Sequence, residues 1–199
     1  MNKDTYKNFE ELIKHEKDGE DFEIEKLYRK SDFAVIAIHG GWIESGTTEV
    51  ARRIAGGELS FYSFLGTKKH KGNSVLHITS DNFDERECFK LISKHKTVIS
   101  IHGQESKDEE FVMIGGLDKK LREKVGKMLT GAGFVLKGAE DNLKGENPVN
   151  VCNRGTSGAG VQMELSKMLR NRLMSESELM EKFAGAVRGA LGITPVEIK

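Results

Sequence analysis

Two short apolar runs of the same build limit what this chain can fold into: "FAVIAIHGG" at residues 33–41 and "KTVISIHGQ" at residues 96–104. Each reads as a buried strand, and each stops at a His-Gly pair. A helical pattern, "GTTEVARRIAGG" (46–57), follows the first, with Thr47 or Thr48 as the expected N-cap. Another, "DERECFKLISKH" (84–95), precedes the second. Further strands are expected at 60–66, 74–79, 111–116, 134–138 and 160–166. Further helices are expected at 4–17, 117–133 and 175–192, the last opened by a Ser175–Glu178 capping box. Strands alternating with helices predict one α/β domain over residues 1–199, with a mixed, mostly parallel β-sheet flanked by helices.

In such sheets, sites collect outside the carboxyl ends of the strands. His39 and His102 stand at those ends. Side chains alternate along a strand, so His39 continues the face of Val35 and Ala37, and His102 that of Val98 and Ser100. On neighbouring strands the two imidazoles converge above the sheet edge, and the glycine after each lets the backbone turn away. Glu44 follows His39 by five residues, on the loop before a helix. Two histidines and a glutamate are a recurrent ligand set for catalytic zinc, with a fourth position left for water. His15, His70, His77 and His95 lack this setting, and His77, inside "VLHIT", is expected to be packed or surface-facing.

A third segment, "NPVNVCNRGTSGAGVQMELS" (147–166), carries the remaining candidates. Glu164, between apolar neighbours on an alternating strand, is a candidate general base. Arg154, beside Asn153, is placed to grip a carboxylate bidentately.

Together "HGGWIESGTTEVA", "SIHG" and "NRGTSGAGVQMELS" resemble, in order, the motifs of the poly-γ-glutamate hydrolase family, zinc-dependent relatives of carboxypeptidases found in phages and bacilli. The resemblance implies a carboxypeptidase-like fold and hydrolysis of the γ-amide bonds of poly-γ-glutamate. It also implies one zinc ion on His39, Glu44 and His102, and Glu164 as base. Asn153-Arg154 resembles the carboxylate-binding pair of the wider carboxypeptidase group. Two departures stand out. Trp42 occupies the place of the glutamate in the usual His-x-x-Glu, and the Asn-Arg pair follows the second histidine where the group has it before.

A polyanionic substrate needs positive charge along its track, and "GTKKHKG" supplies Lys68, Lys69 and Lys71. The whole chain balances 31 basic against 31 acidic residues, which gives no reason to expect nucleic acid or an anionic membrane as partner. No apolar run approaches the roughly 18 residues of a membrane span. The polar N-terminus resembles no signal peptide, so the expected site of synthesis is the cytoplasm, with release only by lysis or another unmarked route. Cys88 and Cys152 form no metal or disulfide motif. The sequence sets no oligomeric state.

Two rival functions remain. "HGGW" also suits the oxyanion segment of a serine α/β hydrolase, but the nearest nucleophile elbow, "GTSGA" around Ser157, fails at its last position. A non-catalytic module binding glutamate polymer or peptide through the same cleft is the other.

Overall fold

A computed structural model describes residues 4–69, 72–139 and 143–193. Its centre is a seven-stranded sheet of order β1-β3-β2-β4-β7-β5-β6. The strands are β1 (Phe22–Leu27), β2 (Phe33–Gly41), β3 (Ser60–Gly66), β4 (Thr97–Gln104), β5 (Val112–Gly115), β6 (Leu136–Lys137) and β7 (Val161–Ser166). β3, β2, β4 and β7 run parallel, β1 and β5 are antiparallel to their inner neighbours, and β6 is parallel to β5. This is the mixed, mostly parallel α/β sheet that the apolar runs predict.

Helices cover both faces. On one side lie α2 (Thr47–Ala55), α4 (Lys119–Gly131), α5 (Lys167–Ser175) and α6 (Ser177–Ala190). Ile54, Leu129, Leu173 and Phe183 from these helices pack on Val35, Ala37, Ile99, Val161 and Met163 of the sheet. On the other side α1 (Phe9–Leu12) and α3 (Arg86–Ile92) join Leu76 and Ile78 over Ala34, Ile36, Ile38 and Val98. Each of the Val, Leu, Ile, Phe and Met side chains among these, when fully buried, contributes roughly 1.5–3 kcal/mol relative to exposure. β2 connects onward to β3 on one side, while β4 leads to the strands on the other. The carboxyl ends of β2 and β4 therefore flank a switch point of the sheet, where open α/β folds bind ligands.

Several elements differ from expectation. Residues 74–79 form no strand: a 3-10 turn, Asn73–Leu76, follows Gly72, and the chain then crosses the ends of the sheet strands. The N-terminal helix is only Phe9–Leu12, because Asn8 caps it and Asp4 is drawn away to His77 and Thr79. The N-cap of α2 is Gly46 at φ 93°, a left-handed conformation that Thr47 and Thr48 would resist. α6 begins at Ser177 with no side-chain cap, since α5, which alternation did not disclose, already occupies the residues up to Ser175. β1 is a further addition; its Phe22 and Ile24 alternate with Glu23 and Glu25 on an edge strand.

Candidate metal and catalytic site

Strict alternation would put His39 with Val35 and Ala37, on the opposite face of the sheet from His102. A β-bulge prevents this. Ala37 pairs with Ser63 and Gly40 with Leu65, so Ile38 and His39 together face one residue of β3. The extra residue turns His39 to the face of Ile38, where His102 also lies. Gly40 makes the bulge possible, because a Cβ there would run into Thr48, Ser63 and the backbone of Phe64.

The loop after β2 is equally determined. Gly41 takes φ 60°, the Glu44 N–H donates to the His39 carbonyl at 2.9 Å, and the Thr47 hydroxyl lies 2.8 Å from the Glu44 carbonyl and 3.2 Å from that of His39. Glu44 is thereby folded back over the strand end. Its Oε2 accepts the Gly103 N–H at 2.7 Å, and its Oε1 lies 3.0 Å from His39 Nδ1. On β4 and β7, His102 and Glu164 are register partners, as are Ser100 and Gln162, so all four share one face.

The chemistry of the centre follows from its lone pairs. His39 Nε2 is 2.9 Å from the Ile78 carbonyl, which can only accept, so Nε2 carries the proton and Nδ1 of the neutral ring presents a lone pair. That lone pair faces Glu44 Oε1 and, at 3.2 Å, His102 Nδ1. His102 Nε2 is engaged by the Ser100 hydroxyl at 2.8 Å. His39 Nδ1, Glu44 Oε1 and His102 Nδ1 thus converge in a buried place. When the Ser100 hydroxyl donates to His102 Nε2, His102 Nδ1 carries the proton that faces His39; a cation can take the place of that proton.

The titration behaviour agrees. Burial lowers the affinity of His39 for a proton, but the Glu44 carboxylate more than reverses this and raises its pKa. Glu44 is itself held down at about 2, the charges of the surrounding histidines outweighing burial. Burial, reinforced by His39, drives His102 down to about 3, so it stays neutral as a metal ligand must. Glu164 behaves oppositely. Burial first, then the Glu44 charge, pushes it up to about 8, so in the metal-free site it holds its proton at neutral pH. Gln162 Nε2 donates to its Oε1 at 3.0 Å and fixes its orientation.

These side chains line a cleft of about 560 Å³. His77 lines it too, stacked on His39 with centroids 4.0 Å apart. Its Nδ1 pairs with Asp4 at 2.7 Å, which leaves Nε2 directed towards Glu44 Oε1 at 3.9 Å. His39, Glu44 and His77 form a group able to surround an ion, so His77 is neither a core nor a plain surface residue. Arg170 of α5, 1% exposed, braces the floor. It donates to the carbonyls of Ser45, Gln104 and Leu165, which lie one or two residues beyond Glu44, His102 and Glu164.

A family model for poly-γ-glutamate hydrolase matches residues 6–186. The chain belongs to the poly-γ-glutamate hydrolase family. YndL of Bacillus subtilis, a UPF0714 protein, is 41% identical over 172 residues, covering 85% of this chain and 67% of YndL. The SPbeta prophage-derived YoqZ of the same organism is 37% identical over 174 residues, 86% of this chain, and this chain spans only 62% of YoqZ. In three dimensions the chain is similar to a bacteriophage poly-γ-glutamate hydrolase, with TM-score 0.89, 32% identity and coverage of 96% and 97% of the two chains. It is equally similar to a zinc-free form of YndL, with TM-score 0.88, 35% identity and coverage of 96% and 98%.

Within this poly-γ-glutamate hydrolase fold, the other residues singled out from sequence stand apart from the cleft. Asn153 is buried and structural: its Oδ1 accepts from Leu117 and Gly160, and its Nδ2 donates to the carbonyls of Gly145 and Asn147. Arg154 stacks over Phe89, 4.7 Å from the ring centroid, in the loop that leads into the amino end of β7. Lys68 pairs with Glu16, and with Asp21 at 3.6 Å, while Lys69 does not line the cleft. Lys71 lies outside the described residues. Among the described residues, no helix is long and apolar enough to cross a membrane. A strand-like alternation hides His77, and no sequence signal points to it.

Proposed function

We propose that this protein hydrolyses γ-glutamyl amide bonds of poly-γ-glutamate with one zinc ion held by His39, Glu44 and His102 and with Glu164 as general base. The observation that carries the reading is the buried convergence of His39 Nδ1, His102 Nδ1 and Glu44 Oε1 at the carboxyl ends of two adjacent parallel strands. Two imidazoles and one carboxylate suit zinc among the divalent metals and leave a position open. When bound, such an ion polarises an amide carbonyl and lowers the pKa of a coordinated water from ~15.7 to roughly 7.

The chain's own groups supply the rest. Glu164 takes the proton of the attacking water and later delivers it to the leaving amine nitrogen, with Gln162 holding the carboxylate in line. The Gly103 N–H and the Ile78 carbonyl fix the orientation of Glu44 and His39, so little rearrangement is needed on substrate entry. The serine-hydrolase alternative lacks support here: the Ser157 hydroxyl donates to the Ala159 carbonyl at 2.8 Å in an exposed loop. Incubation of the purified protein with high-molecular-weight poly-γ-glutamate should shorten the polymer, and a covalent serine reagent should leave this unchanged. Tight binding without any shortening would instead identify a non-catalytic polymer-binding module.

A further inference from the structure

A second hollow, about 630 Å³ in volume, lies along α4 and β6 and has no part in the chemistry described above. Five basic side chains border it against two carboxylates, in a chain whose formal charges sum to zero. Lys119 and Lys127 stand exposed on α4, Lys137 lies opposite on β6, paired with Glu109 and 4.5 Å from the Phe111 ring centroid, and Arg122 lies beside the wall shared with the cleft. The floor is apolar, formed by Ile114, Gly126 and Leu136. Arg122 pairs with Glu146 at 2.7 Å, and Glu146 borders both the hollow and the catalytic cleft. The segment 143–146 is thus a wall shared by the two depressions.

We infer that this basic groove is an extended binding track for a polyanionic chain whose reacting bond lies in the cleft. The inference rests on the proposed substrate. A γ-linked glutamate polymer has two backbone methylenes and one α-carboxylate per residue, which matches an apolar floor edged by cations. α4, with 13 residues, is about 20 Å long at 1.5 Å per residue, so the track would hold several residues beyond the scissile bond. Attraction along it raises the local concentration of long anionic chains and weakens as salt screens it.

The test compares the binding of fluorescently labelled poly-γ-glutamate and of γ-linked triglutamate to the wild type and to Lys119→Glu/Lys127→Glu. Both lysines are exposed, so the fold should be preserved. The polymer Kd should rise about tenfold at low salt, with the difference shrinking at high salt, while the Kd of triglutamate stays the same. An unchanged polymer Kd, no binding of polymer by the wild type, or a preference for a single-stranded DNA of equal charge would each overturn the inference. Cleavage is scored separately on the same samples. Polymer that binds through the groove but is never cut would refute the proposed hydrolysis and leave the track standing.

Discussion

Replacing Glu164 by glutamine separates the cost of burying this carboxylate from its use. The side chain is almost fully buried, and its pKa is pushed from 4.5 to about 8, by burial first and the Glu44 charge second. A carboxyl group whose folded pKa is raised contributes no penalty below its unfolded pKa. The penalty then grows with pH until the folded pKa is passed. At pH 7 the metal-free protein therefore bears on the order of 3 kcal/mol, from about 2.5 pH units at 1.36 kcal/mol each. Glutamine is nearly isosteric, carries no charge and can still accept the bond from Gln162 Nε2. Urea unfolding of zinc-stripped wild type and Glu164→Gln should give nearly equal stabilities near pH 4.5 and a variant increasingly the more stable towards pH 8. The metal-loaded variant should lose about 10²–10⁴-fold in turnover of poly-γ-glutamate. Equal stabilities across this pH range would refute the buried-carboxylate argument. Full turnover with metal bound would remove Glu164 from the role of base.

Three further outcomes follow from the same geometry. Gly103→Ala places a Cβ in the guanidinium of Arg170 and displaces the N–H that holds Glu44; unfolding should show a loss of about 2–4 kcal/mol, with weaker zinc binding in a metal titration, and an unchanged melt would mean that the site floor is not rigid. Asp4→Ala frees His77 and the Thr79 N–H from their partner and should lower kcat/KM about tenfold with a stability loss of about 1–2 kcal/mol; an unaltered kcat/KM would make His77 a bystander in the cleft. Arg154→Ala should leave kcat/KM within about twofold, because this side chain lies over Phe89; a tenfold rise in KM would return it to the substrate site.

The strands ending in His39 and His102 are legible in the sequence because β-branched runs interrupted by His-Gly leave few alternatives, and the helices within 46–57 and 84–95 follow from periodicity, although the cap of the first is Gly46 and not a threonine. The convergence of the two histidines was read correctly for an incomplete reason. Alternation alone points them to opposite faces, and only the bulge at Ile38–His39 brings them together; a single inserted residue leaves no periodic trace, only the glycines after it. His77 escaped notice because "SVLHIT" alternates like a strand, although the sheet has no place for it and the chain instead crosses the ends of the strands. Asn153 and Arg154 illustrate the converse. A suggestive pair in a glycine-rich loop was taken for a carboxylate clamp, while the loop's hydrogen bonds use Asn153 to hold the entry to β7.

The most direct test of the account is a zinc titration of the metal-stripped protein, following bound metal and the shortening of poly-γ-glutamate in the same samples. The account predicts that both rise together and saturate at one ion per chain, and that neither occurs after replacement of His39 or His102 by alanine. Full shortening of the polymer in chelator, with no metal bound, would contradict it.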